Sequence, residues 1–300
     1  MTDSTPSVMD DPLQIIQDNN DVLIARVSEQ ISFDTFNPED HQTLVQLVEG
    51  LGDPRGLMRL QFAETLGDIG EPATPFLVQA LQTHENVVVR RAAAKTLTLI
   101  ADPAAVPPLL EAFLHDPDTV VRGSSAGALA RTGEAAAPYL LEILASPDHA
   151  QDIKGHAAWA LAFMGSEAEK YLYKALKSDS LDVRCAVIGA LGHVAQEKTD
   201  EKSCSLLIAA LTDPEPLIRT EAAAALGQVN YPASVPHLIL ALQDTDLDVR
   251  KAAINALGKI GDLQAMDALK AALQDDLNVI RTLAKVAINQ IERQAAEDDW

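Results

Sequence analysis

Aromatic residues make up only 4% of this 300-residue chain, cysteine occurs twice, and 23 lysines and arginines face 44 aspartates and glutamates. Each shortage closes off a class of protein. Two cysteines, Cys185 and Cys204, cannot build a disulfide framework, and the absence of a CxxC pair removes structural zinc and thioredoxin-like dithiols. A reducing compartment is expected. The net charge of -21 argues against a protein that grips phosphate backbones, because nucleic-acid binding depends on Lys and Arg displacing counterions. The same charge disfavours anionic membrane surfaces. No run of about 18 apolar residues occurs, which predicts no membrane insertion. The opening MTDSTPSVMDDPL has neither a basic stretch nor an apolar core of the signal-peptide kind. The expected location is therefore cytoplasmic.

What the chain has in abundance is alanine and leucine, within a hydrophobic fraction of 47%. Small side chains and strong helix formers together favour helices packed at close range, so the expected class is all-α. The acidity is densest at the ends, with nine acids against Arg26 alone in residues 1–40 and four against Arg293 in residues 292–300.

A repeat of about 31 residues organises the middle. VRKAAINALGKIGD (249–262) is echoed by VRRAAAKTLT (89–98), VRCAVIGALG (183–192) and IRTEAAAALG (218–227), among others. A basic residue marks each copy: Arg59, Arg90, Arg122, Lys154, Arg184, Arg219, Arg250 and Arg281. A leucine lies eight to ten residues earlier, at Leu51, Leu81, Leu114, Leu144, Leu176, Leu211, Leu242 and Leu273. The unit reads as a first helix, a turn rich in Asp and Pro, a second helix entered near the basic residue, and a glycine stop. Gly70, Gly133, Gly165 and Gly261 suit that stop because glycine tolerates positive φ after a helix. Pro75, Pro108, Pro138 and Pro236 suit the first turn of the next helix, where a missing N–H costs little. Such a pair cannot bury its apolar face alone, so successive pairs must stack. The expected architecture is an α-solenoid of about eight helix-pair repeats over residues 41–292. Residues 1–11 are read as a disordered acidic N-terminus, 12–40 as a partial helical N-cap, and 293–300 as an acidic tail whose Trp300 suits a docking peptide. QEKTDEKS (196–203) reads as an inserted polar loop.

Within the second helix, counting from the basic residue at about 100° per residue, positions -1, +3, +4 and +7 form one apolar stripe. Positions +2, +5 and +9 lie opposite. In the fourth repeat these are His156, Trp159 and Phe163, inside KGHAAWALAFMG (154–165). The matching +5 positions of the flanking repeats are Gly127 and Gly189, and His193 and Ala186 complete the stripe of the fifth. An aromatic ridge beside shallow positions suits a partner or a planar ligand. The competing reading is that Trp159 packs where Gly155 and Gly189 leave space, or that the DHAQDIK segment slips the helix frame. Lys154, where other copies carry Arg, reads as drift in a ladder joining repeats through acids such as Asp182 and Asp248. Cys185, next to the fifth repeat arginine, offers a thiol for transient transfer; His156 and Cys185 without further ligands predict no metal site. Tyr171 and Tyr173 read as packing. No nucleophile–base pair, phosphate loop or HExxH is present, so no catalytic residue is assigned.

VRRAAAKTLTLIADPAAVPPLLEAF (89–113) and VRKAAINALGKIGDLQAMDALKAAL (249–273) resemble the HEAT-like repeats of the phycobilisome-lyase type over residues 41–292. The resemblance implies a HEAT-like solenoid in which second helices line a concave surface, placing His156, Trp159, Phe163, Cys185, Gly189 and His193 on a partner- or ligand-binding face. It extends to deoxyhypusine hydroxylase, but the His-Glu pairs that enzyme carries after the repeat arginine are absent here. The implied function is a non-catalytic scaffold or chaperone-like adaptor, cyanobacterial, holding a protein client such as a phycobiliprotein subunit, with no cofactor of its own. The alternative implied by the same resemblance is a phycobilin lyase or chromophore-detaching protein that takes a bilin. The oligomeric state is left open.

Overall fold

The computed structural model describes residues 12–198 and 200–298. The expected disordered N-terminus at 1–11 and the terminal Trp300 lie outside them. The chain divides into two compact units, Met1–Ala136 and Ala137–Trp300. No strand occurs among the described residues, and the fold is an all-α solenoid of helix pairs.

The first unit begins with α1 (Pro12–Ser32). Three pairs follow: α2 (His41–Gly50) with α3 (Gly56–Ile69), α4 (Thr74–Thr83) with α5 (Val87–Ile100), and α6 (Val106–His115) with α7 (Thr119–Arg131). The second unit holds five pairs. These are α8 (Ala137–Ala145) with α9 (Gln151–Met164), α10 (Glu169–Ala175) with α11 (Leu181–Lys198), α12 (Glu201–Ala210) with α13 (Pro216–Val229), α14 (Val235–Ala241) with α15 (Leu247–Ile260), and α16 (Met266–Ala272) with α17 (Asn278–Asp298). Inside each unit, second helices pack side by side: α3, α5 and α7 in the first; α9, α11, α13, α15 and α17 in the second.

The repeat residue explains the regularity. Arg59, Arg90, Arg122, Lys154, Arg184, Arg219, Arg250 and Arg281 are each the fourth residue of their helix, so DHAQDIK does not slip the frame of α9. The arginines fold back to accept a structural task in their own turn. Arg59 Nη1 donates to the Asp53 carbonyl at 2.6 Å, Arg184 Nη1 to that of Ser178 at 2.9 Å, and Arg250 Nη1 to that of Asp244 at 3.0 Å, always six residues back. Some also reach the next repeat: Arg90 pairs with Asp116 at 3.0 Å and Arg219 with Asp244 at 2.7 Å. Lys154, lacking the planar fork, sends its ammonium to Asp182 at 2.6 Å. Asp248, expected in the ladder, instead holds Lys251 of its own helix at 2.5 Å.

The projected apolar stripe is the core. Val183, Val187, Ile188 and Leu191 in α11, and Val249, Ala253, Ile254 and Leu257 in α15, are all buried. Burial of each such aliphatic side chain contributes about 1.5–3 kcal/mol. Asp40, Asn86, Asp118, Asp200 and Asp246 cap α2, α5, α7, α12 and α15 by accepting from first-turn N–H groups. That is what the polar turn residues are for.

Helix endings follow the residue eleven positions after the basic one. Gly70, Gly133, Gly165 and Gly261 all stand at positive φ there, as do Ala101 at 56° and Asn230 at 55°. In α11 that position is Ala195, which stays helical, and the helix runs on to Lys198. QEKTDEKS is therefore not a loop as expected. Its Gln and Glu extend α11, Asp200 caps α12, and α12 starts at Glu201. The same run-on occurs in α17, which carries Glu292 there and continues to Asp298.

Candidate functional site

Two adjacent helices of the second unit carry all six candidate residues: His156, Trp159 and Phe163 on α9, and Cys185, Gly189 and His193 on α11. The spacings of three and four bring His156, Trp159 and Phe163 onto one surface of α9 while Ala157, Ala160 and Leu161 are buried on the other. Trp159 is 51% and Phe163 54% exposed. Their rings stack, with centroids 5.5 Å apart and planes inclined by 29°. The pair presents apolar aromatic area to solvent.

His156 is exposed, and its Nδ1 donates to the Asp152 carbonyl at 2.8 Å, which fixes the ring one turn below Trp159. His193 is exposed one turn beyond Gly189. A methyl group on Gly155 or on Gly189 would meet no atom within 4 Å. Trp159 thus does not fill the space over either glycine, and the packing reading fails on that point.

Cys185 is half-buried rather than the exposed thiol expected. Burial, then the negative charges of Glu221 and Asp182, push its thiol up from 9.0 to about 11. At neutral pH it is a protonated thiol, a poor nucleophile and a poor metal ligand. Cys204 is buried within α12 and is also free. Among the described residues no group of three or more His, Cys, Asp and Glu side chains converges as a metal site. Tyr173 ties α10 to α12, donating to Asp200 at 3.1 Å with the Lys202 ammonium 3.6 Å from its ring centre. No helix among the described residues is long and apolar enough to cross a membrane.

A second feature was not evident from the repeat pattern. In the first unit, α3 and α5 enclose an open groove of about 440 Å³ that includes Arg59, Arg91 and Lys95. The available sign was the +2, +5 and +9 stripe of α5, where Lys95 and Leu99 stand together.

Fold and surface together define a HEAT-type α-solenoid whose second helices present an aromatic patch and a cationic groove. The HEAT-repeat family model matches residues 42–130, 74–162, 137–224 and 204–289. Over 206 residues the chain is 38% identical to the bilin biosynthesis protein MpeU of Synechococcus sp. (strain WH8020), covering 69% of each protein. The chain belongs to the HEAT-repeat family, in its phycobilisome-lyase type. Among solved structures, it resembles the complex of CpcE and CpcF of phycocyanin lyase from Nostoc sp. PCC7120, with 24% identity over 51% of this chain and 98% of that one at a TM-score of 0.45. It also resembles the karyopherin Kap121p bound to the extreme C-terminus of the protein phosphatase Cdc14p, with 13% identity over 97% of this chain and 38% of that one at a TM-score of 0.58. Both likenesses are of fold alone.

Proposed function

We propose that this protein is a non-catalytic, chaperone-like scaffold in bilin and phycobiliprotein handling, and that it holds a phycobiliprotein subunit on the second-helix surface around Trp159. The observation that carries the reading is the stacked, half-exposed Trp159–Phe163 pair beside two open glycines. Aromatic anchors of this kind dominate binding energy at protein interfaces. The 38% identity to a bilin biosynthesis protein supports the choice of client class. A cyanobacterial cytoplasm is the setting that goes with it.

A lyase acting on the bilin itself is the second reading. It needs a nucleophile or acid–base group at the site: Cys185 is a weak nucleophile because its thiol stays protonated well above neutral pH, and the exposed imidazole of His156 is the acid–base group it would use. The scaffold reading is preferred on the exposed aromatic pair, which suits a protein interface.

The test is to mix the purified protein with phycocyanobilin and with apo- and holo-phycobiliprotein subunits, following co-elution, visible absorption and covalent attachment. Co-elution with a subunit that is lost in Trp159→Ala, at unchanged helical content, supports the scaffold. Covalent attachment or release of bilin by the protein replaces it with the lyase. Normal co-elution of Trp159→Ala removes the aromatic pair from the interface.

A further inference from the structure

The groove between α3 and α5 stands in an acidic unit. Residues 12–136 contain 17 acids and eight bases, and three of those bases, Arg59, Arg91 and Lys95, line this one groove. No acid lines it among the described residues. Its apolar lining includes Val88 together with Leu60 and Leu99, which are 52% and 58% exposed.

The three cations are not equivalent. Arg91 is neutralised by Asp118, to which its Nε donates at 2.9 Å. Arg59 spends Nη1 on the Asp53 carbonyl, which leaves its charge uncompensated by that bond. Lys95 is exposed, one turn from Arg91, and among the described residues no carboxylate holds its ammonium. It is also the only lysine before Lys154. An exposed lysine over exposed leucines, in a chain of net charge -21, sets up attraction for a negative group attached to an apolar body.

We infer that this groove is a binding site for a small apolar organic acid in its anionic form, with the apolar body on Leu60, Val88 and Leu99 and the acid group at Lys95 and Arg59. The volume suits a small molecule, within the roughly 300–1,000 Å³ of ligand pockets. The inference stands on the first unit alone and does not depend on the client reading of Trp159.

The full chain is titrated with two probes of one shape, the anionic 8-anilinonaphthalene-1-sulfonate and the neutral N-phenyl-1-naphthylamine, read by fluorescence. The sulfonate is expected to bind saturably and more tightly than the neutral probe. Lys95→Glu is expected to weaken the sulfonate by about fivefold to tenfold and to leave the neutral probe and the far-UV circular dichroism unchanged. Leu99→Ser is expected to weaken both probes, and Trp159→Ala neither. Equal affinity for the two probes, an unchanged sulfonate affinity in Lys95→Glu, or a sulfonate signal lost only in Trp159→Ala overturns the assignment. Absence of saturable sulfonate binding overturns it as well, leaving the groove to a protein surface.

Discussion

A glycine inside an α-helix costs about 0.5–1 kcal/mol relative to alanine, so each one invites the question of what it is for. Two kinds occur in the second unit. Gly192 and Gly227 stand where a Cβ would come within 3.2 and 2.8 Å of the Ala225 and Ala256 methyls, so close helix packing accounts for them. Gly155 and Gly189 face open space, and packing gives no reason for either. On the proposed client surface, a depression kept shallow beside Trp159 gives one. Gly189→Ala is accordingly expected to stabilise the protein by about 0.5–1 kcal/mol in urea unfolding, whereas Gly189→Leu is expected to keep that stability and lose co-elution with the client. A Gly189→Leu protein that binds its client normally shows that the open space beside the ridge is not used.

At the scale of elements, the attachment of α1 rests on a polar clip. Asp53, buried in the turn between α2 and α3, accepts from Asn20 of α1 at 2.9 Å and from Arg55 Nε at 3.1 Å and Nη2 at 2.9 Å, while Arg55 reaches Asp21 at 2.8 Å. The Arg55 hydrogen bonds hold the Asp53 carboxyl down from 3.8 to about 2. Because the folded pKa lies below the unfolded one, this stabilisation is complete above about pH 4 and disappears as the pH falls through about 2. Asp53→Asn is expected to cost about 1–3 kcal/mol at pH 7, with the gap to wild type closing between about pH 4 and pH 2 in thermal unfolding. A gap that persists unchanged at the acid end assigns the loss to geometry rather than charge. This clip was not legible in the sequence: Asp53 holds the repeat's turn position six residues before Arg59, but nothing marks Asn20, 33 residues earlier, as its partner. The helix pairs were legible, because one basic residue and one apolar stripe recur in fixed register. The exposed face of α9 was legible for the same reason. QEKTDEKS was misread because polarity was taken for a loop; Ala195 stays helical, although Ala101 at the same repeat position ends α5, so the residue at that position did not by itself mark the ending. The α3–α5 groove was missed because its cations come from two repeats, and periodicity treats each repeat alone.

At the scale of the whole chain, helix pairs contact mainly their neighbours, so stability is close to a sum of nearest-neighbour interfaces. A fault at one interface should then be felt locally before it is felt everywhere. Gly227 is the place to introduce one: a Cβ there would lie 2.7 Å from the backbone Cα of Ala256, which no rotamer change can relieve. Gly227→Val must push α13 and α15 apart, at an expected cost of about 1–3 kcal/mol. Hydrogen exchange is expected to show faster amide exchange in α13 and α15, with the protection of α3 and α5 in the first unit retained. Equal loss of protection in both units would mean that the chain unfolds as one cooperative body, and that the repeat-by-repeat construction seen in the sequence does not extend to its energetics.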